Sequence, residues 1–531
     1  MAFLNQKLVP FLLLPTESSR PICSRTLGLV LFLFLATQWV FLSRPSINLE
    51  FAFLEAARSL ADLQPHDRID YFWRFQANPL GYPFLASLLL RAFPMIDHLA
   101  VVRLLSVFGG VLLLVSVADL LRYIPSADKA AGLWSLILVA THPVIWLYTN
   151  NATADILPAG LTMAALACCC RGRTNLCWHF WGIPLFCLAC VIKFHCALFG
   201  VAIFYILMTW GLYDRANYLK HMVWLFLYAA VSAASLAIYF YVIHQRYGIV
   251  VLPEQFKGTL AVDTSIAQII SKLSYYFVFL ILFSGPLASL LLCCFFNDNK
   301  LKLGKKLLIF MSMLFLGLVL QKTPRAGEMD FGGLDQLLQP ILLSLTLAAG
   351  FVLVFLLFYF LQKNFTSAPY RGFSAFISFT SIPYLLVCST TRPVQRYLIL
   401  VLPLVVVWFV YALWDLWPTA ARKLMIASLA VFIVLTTVGA FYLDSQARAA
   451  DRMGQWIAEH GLLEKTDPGI LVNHIGYLFP LQAPKEPRYR LEIWPSLKNS
   501  PAQAPVHTEP VFIGPLLIKQ FVVISEEDCK A

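Results

Sequence analysis

Charged side chains are scarce in this chain: 13% of its 531 residues are Asp, Glu, Lys or Arg, against roughly 25% in soluble domains. With 59% apolar residues beside them, that scarcity excludes a fold surrounded by water. Acid is scarcer still than base, 29 residues to 40, for a net charge of +11. On a soluble protein such an excess would point to nucleic acid, but in a membrane protein Lys and Arg gather in cytoplasmic loops, so no nucleic acid partner is expected. A Gly-rich phosphate loop, a dinucleotide fingerprint, a fixed-period repeat and low-complexity tracts are all missing. The twelve cysteines lie mostly inside apolar runs, among them Cys168, Cys169, Cys170, Cys187, Cys190 and Cys196. None has histidines or a second pair at zinc spacing, so neither a disulfide nor a structural metal is expected.

What the chain does have is long apolar runs, with a mean hydropathy of +0.72. Read against the ~20 residues a helix needs to cross a bilayer, they predict an all-α polytopic membrane protein of about thirteen transmembrane helices. The spans centre on 27–43, 100–121, 131–148, 156–170, 178–193, 195–213, 222–243, 277–296, 307–320, 340–361, 372–389, 398–415 and 424–442. The first is preceded by Arg20 and Arg25 and has no small-residue cleavage site, so it reads as an anchor. With a cytoplasmic N-terminus, the inner connections carry seventeen basic residues against five in the short outer ones, as the positive-inside rule requires.

This places three segments outside the lipid on the outer face, two within a membrane domain of residues 1–442 and one after it. They are a first loop at 44–99 with interfacial helices such as Phe51 to Leu60, a loop at 244–276, and a small α/β tail at 443–531. In the tail an amphipathic helix is expected over Arg448 to His460, with strands at Ile470 to Val472 and Phe521 to Ile524.

Ionisable groups near the bilayer cost free energy unless paired or facing a watery cavity. Here Glu50, Arg58, Asp155, Lys193, Arg392 and Arg396 collect on the outer side, which suits a substrate bearing phosphate beside an attacking hydroxyl. Glu50, just past the first span, is either a general base with a raised pKa or an acid solvated at the interface. Asp155 closes the polar break Thr149-Asn150-Asn151-Ala152-Thr153-Ala154-Asp155, as an N-cap of the next span, a functional acid, or both. Asn151-Ala152-Thr153 matches a glycosylation acceptor but lies close to the bilayer. Lys193 interrupts an apolar run and either snorkels to the surface or neutralises phosphate. Arg396 and Tyr397 head a later span with a donor fork and a phenol suited to phosphate or sugar.

Taken in order, Glu50-Phe51-Ala52-Phe53 with Ala57-Arg58, Asn78-Pro79-Leu80-Gly81-Tyr82-Pro83, Ala154-Asp155, Ile192-Lys193-Phe194 and Arg396-Tyr397-Leu398 resemble the landmarks of the type C (GT-C) glycosyltransferases. The chain looks most similar to their protein O-mannosyltransferase and lipid A aminoarabinose transferase branch, over roughly residues 27–442. The resemblance implies sugar transfer from a polyprenyl-phosphate carrier to a lipid, glycan or protein acceptor. It implies Glu50 as base, Asp155 as second pocket acid, and Arg58 orienting the first-loop helix or contacting phosphate. Lys193 and Arg396 would hold the carrier phosphate, with Tyr82, Arg392 and Tyr397 also at the substrate.

One departure stands out: the family usually has an Asp-Glu pair where this chain has Leu49-Glu50. The base is therefore Glu50 alone or another acid such as Glu55 or Asp155, or activity is lost. No cofactor is required, and a divalent metal beside Glu50 and Asp155 has no ligand cluster behind it. The competing readings are a lipid-linked sugar flippase or transporter and a surface-polysaccharide polymerase or ligase. With no retention signal, a bacterial inner membrane is the expected location.

Overall fold

The computed structural model describes residues 22–46, 50–63, 79–124, 129–247, 371–390, 395–416, 418–467, 488–495, 505–513 and 516–525, with a few single residues between 269 and 280. Ten of the thirteen expected spans fall on described helices, and those at 277–296 (Leu280 apart), 307–320 and 340–361 lie outside the described residues. So do Arg392, most of the 244–276 loop and the strand expected at 470–472.

The helices are α1 (Ser24–Trp39), α2 (Glu50–Leu60), α3 (Gly81–Ala92), α4 (His98–Leu120), α5 (Lys129–Thr141), α6 (Pro143–Thr149) and α7 (Ile156–Arg171). They continue with α8 (Cys177–Ile192), α9 (Gly200–Tyr213), α10 (Tyr218–Tyr247), α11 (Arg371–Cys388), α12 (Leu402–Leu416) and α13 (Pro418–Glu459). Among the described residues, four helices are long and apolar enough to cross a membrane, or five if the bent pair α5 and α6 forms one span. Others, including α7 and α8, are apolar but shorter, so the described residues do not establish thirteen crossings.

Two features depart from the sequence reading. The expected span at 131–148 is broken: α5 and α6 meet at 53°, where Pro143 enters at the first position of α6 and His142 takes an extended conformation. The helix over 50–60 forms, but it is not an amphipathic helix with one free face. Glu50, Phe51, Ala52, Phe53, Leu54, Ala56, Ala57 and Ser59 are all buried, because α2 packs on α3 and α4.

Among the described helices, α4 and α7 pack most closely. A methyl group at Gly109 would collide with the backbone of Leu157, and one at Gly160 with the carbonyl oxygen of Gly109. Small residues of this kind let membrane helices touch backbone to backbone. The contact sits near the start of α7 and so fixes the preceding 150–155 segment against α4.

The tail does not begin with a separate helix. α13 runs unbroken for 42 residues through position 442, and its last turns pack Ala449, Ala450, Met453 and Ile457 onto a sheet through Leu491, Val511, Phe521 and Val523. The sheet consists of β1 (Thr466–Asp467), β2 (Tyr489–Pro495), β3 (His507–Ile513) and β4 (Leu516–Ser525), in the order β1-β2-β4-β3. β4 pairs antiparallel with both neighbours, and β1 runs parallel to β2. The strand expected at Phe521 to Ile524 lies inside β4.

Candidate active site

The site is built around the break between α6 and α7. Asn150 is stitched to the end of α1: its amide donates to the Gln38 carbonyl at 2.8 Å and to Gln38 Oε1 at 3.1 Å. Gln38 Nε2 in turn donates to the Trp146 carbonyl at 3.2 Å. These bonds satisfy polar groups at the ends of two helices and hold Asn151, Ala152 and Asp155 in place.

Glu50, the first residue of α2, is fully buried. Arg103, inside α4 and also fully buried, donates from Nε to Glu50 Oε1 at 3.0 Å and from Nη2 to Oε2 at 2.8 Å. Its other N–H groups go to carbonyl oxygens: Nη1 to Leu42 at 2.7 Å and Arg44 at 2.5 Å, and Nη2 to Pro45 at 2.9 Å. All five guanidinium donors are thereby used. Glu50 Oε1 also accepts from the Ala152 N–H at 2.7 Å and lies 3.6 Å from Arg44 Nη2. Burial pushes the Glu50 carboxyl up, but Arg103 and Arg44 outweigh it and hold it below the ordinary glutamate range. The raised pKa expected from partial burial is therefore overturned.

Arg44 donates to the Asn150 carbonyl at 3.1 Å and to Asn151 Oδ1. Burial lowers its pKa to about 10, with Glu50 opposing and Arg103 adding to the shift. Asn151, buried and bonded to Arg44, is not presented as a glycosylation acceptor.

Asp155 occupies the position before α7 but makes no side-chain cap there. Its Oδ1 instead accepts from Lys193 Nζ. Lys193 follows α8 in an extended conformation and stays buried, not snorkelled. Burial raises the Asp155 carboxyl, yet Lys193 and then Arg396 outweigh it, and the net shift is downward. Lys193 Nζ also lies 5.4 Å from the Tyr397 ring, and the His195 ring is 4.7 Å from that of Tyr397.

The structure thus brings Glu50, Asp155, Lys193, Arg396 and Tyr397 around one short segment and adds Arg103 and Arg44. Arg58 is elsewhere, donating to Glu55 Oε1 at 3.2 Å and to His98 Nδ1 at 3.2 Å, where it ties α2 to the start of α4. Tyr82 is fully buried, and its hydroxyl donates to the Val102 carbonyl at 2.9 Å beside Ser106 Oγ at 2.8 Å. It packs α3 on α4, edge-on to Phe53.

Sequence reading missed Arg103, although the signal was there: an arginine in Val101-Val102-Arg103-Leu104-Leu105, inside an apolar run, is by itself a marker of a paired or functional group. Arg44 was equally visible at the end of the first span.

Four cations (Arg44, Arg103, Lys193, Arg396) face Glu50 and Asp155 here, with Asp444 also within electrostatic reach of Arg44, so these seven groups sum to +1. Such charge at buried helix ends is costly and suits an anionic ligand. A divalent metal does not fit, because each carboxylate is already flanked by cations that would repel it. Among the described residues no three His, Cys, Asp or Glu side chains converge as a ligand set.

No family model and no curated protein matches the chain. Among solved structures it is similar to ArnT from Cupriavidus metallidurans in the apo state, with a TM-score of 0.38 and 14% identity over 93% of this chain and 97% of that one. It is similar also to the same protein bound to undecaprenyl phosphate, with a TM-score of 0.40, 14% identity and the same coverage. Likeness of that degree transfers neither a fold nor a residue's role, and the chemistry of the site rests on its own side chains.

Proposed function

We propose that this chain is a membrane glycosyltransferase moving a sugar from a polyprenyl-phosphate carrier to an acceptor hydroxyl at the outer face of a bacterial inner membrane. The observation that carries this reading is the gathering of two buried carboxylates and four cations on the 150–155 segment. Lys193 and Arg396 neutralise the carrier phosphate, and Tyr397 completes the substrate contacts. The acceptor oxygen attacks the anomeric carbon from the face opposite the phosphate, forming one C–O bond as the other breaks. The phosphate leaves with the bonding electrons, the anomeric carbon inverts, and the acceptor proton passes to Glu50. No nucleotide is needed.

The depressed pKa of Glu50 shapes this step. A weak base accepts the proton late, once bond formation has made the hydroxyl acidic. Positioning and electrostatic stabilisation of the departing phosphate then supply most of the acceleration. Arg103 acts through Glu50, as the group that sets its position. Asp155 holds Lys193 as the second acid of the pocket.

The break of 53° between α5 and α6 favours a second reading, a transporter of lipid-linked sugar, since such proteins build sites from discontinuous helices. The deciding experiment incubates purified wild type and Glu50→Gln with a panel of polyprenyl-phosphate sugars. Release of lipid phosphate by wild type and not by the variant supports transfer; equal release by both eliminates Glu50 as base. Movement of intact donor across a vesicle membrane without bond cleavage replaces the transferase with the transporter.

A further inference from the structure

The helices that carry the acidic and basic ends of the site finish together at the other end of the bundle. α7 begins beside Asp155 and ends at Arg171, and α8 begins at Cys177 and ends beside Lys193. At 1.5 Å per residue their 16 residues each put this second end about 24 Å from the Asp155–Lys193 pair. α9 ends there too, at Tyr213.

Two arginines sit in this region, in different circumstances. Arg171 is engaged: it forks onto Asp119 through Nε at 2.6 Å and Nη2 at 2.7 Å, and lies 4.3 Å from the Trp178 ring. Arg173, half-buried in the turn after α7, makes no ion pair among the described residues. Its guanidinium instead lies 5.5 Å from the Trp210 ring and 5.9 Å from the Tyr213 ring. His221 is buried beside Trp210, with ring centroids 6.2 Å apart, and within electrostatic reach of both Arg173 and Lys220. Its Nδ1 and the Trp210 Nε1 are buried with no hydrogen-bond partner among the described residues. An acid stands in this neighbourhood as well: Asp214 lies within electrostatic reach of both His221 and Arg173 and accepts from Asn217 through its backbone N–H at 3.3 Å and its amide at 2.8 Å, leaving Arg173, Lys220 and Asp214 with a net charge of +1.

A cation on an aromatic platform, a second cation and two unmet ring nitrogens at the end of apolar helices describe a receptor for a phosphate group at a bilayer surface. Basic clusters between helix ends bind anionic lipid headgroups, and Trp and Tyr collect at that depth. We propose that Arg173, Lys220, His221 and Trp210 form a binding site for the phosphate of an anionic phospholipid headgroup, in the leaflet opposite the candidate active site. Arg173 and Lys220 supply the charge, Trp210 and Tyr213 flank the guanidinium within cation–π range, and the imidazole, protonated on Nδ1, donates to a phosphate oxygen. The site is independent of sugar transfer and would persist if that reading failed.

The test uses the full chain in neutral detergent, titrated with phosphatidylglycerol, phosphatidylcholine or inorganic phosphate, with retained lipid counted by native mass spectrometry and Tm followed in parallel. Phosphatidylglycerol is expected to bind and raise Tm where phosphatidylcholine does not. Arg173→Gln and the exposed Lys220→Gln are each expected to weaken it by about fivefold. Arg422→Gln, an exposed basic residue at the start of α13, is the control for diffuse surface charge and should have no such effect. Equal weakening by Arg422→Gln and Arg173→Gln would overturn the proposal. Stabilisation by inorganic phosphate with none from phosphatidylglycerol would overturn the lipid as its source.

Discussion

Arg103 and Glu50, 53 residues apart, form a two-pronged ion pair with neither side chain exposed. Removing one partner of such a pair strands a buried charge. Arg103→Met is expected to lower stability by about 3–5 kcal/mol, read as thermal unfolding in detergent. Arg103→Lys should restore little of it, since an ammonium has three donors where five are used. The double variant Arg103→Met with Glu50→Gln should cost less than the sum of the two single ones, because the stranded charge is gone. Additivity would mean that the pair does not act as a unit.

The pH dependence has a definite sign. Glu50 and Asp155 both have folded-state pKa values below their ordinary 4.5 and 3.8. Their contribution to stability is therefore complete above those ordinary values and fades as pH falls through the lower folded-state ones. Stability followed from pH 7 downward should stay level until pH enters the ordinary carboxylate range and then decline through and below it. Glu50→Gln and Asp155→Asn should each make the acid decline shallower; an unchanged decline in both would contradict these assignments.

Lys193 and Asp155 make the second buried pair. Lys193→Met leaves Asp155 with Arg396 as its remaining cation among the described residues and is expected to cost about 3 kcal/mol. Adding Asp155→Asn should recover part of that loss. In the proposed reaction Lys193→Gln should raise KM for the lipid donor more than Arg58→Gln does, because Arg58 lies on Glu55 and His98, away from the site. Steady-state kinetics with the active donor distinguishes the two.

Gly109 and Gly160 press α4 against α7, and the atoms a methyl group would meet belong to backbone. Gly160→Ala is expected to destabilise by at least the 1–3 kcal/mol typical of overpacking, since no side chain there can swing aside. It should also shift Asp155, five residues earlier in the chain, and so lower turnover even under conditions where the protein stays folded. Wild-type stability and activity in Gly160→Ala would refute the close approach.

Much of the helical layout was legible in the sequence, because hydropathy is a property of a local window and helices satisfy their own backbone in lipid. The polar break at 149–155 and the interruption at Lys193 were legible for the same reason. Less legible were features decided by contact. The 50–60 helix reads as amphipathic, yet packing on α3 and α4 buries nearly all of it. Asp155 reads equally as a cap or a functional acid, and only the approach of α8 shows its carboxylate turned to Lys193. Tyr82 reads as a ligand contact, yet its hydroxyl bonds to a neighbouring helix.

From its amino-acid order alone, then, this protein was bound to be a bundle of apolar helices with ionisable groups gathered at certain helix ends. Which cation meets which carboxylate was a matter for the tertiary structure, since Arg103 reaches Glu50, and Glu50 reaches Ala152, across gaps of 53 and 102 residues. The physical reason is range: burial of an apolar run depends on a score of consecutive residues, whereas an ion pair depends on a few ångströms between side chains that only helix packing brings together.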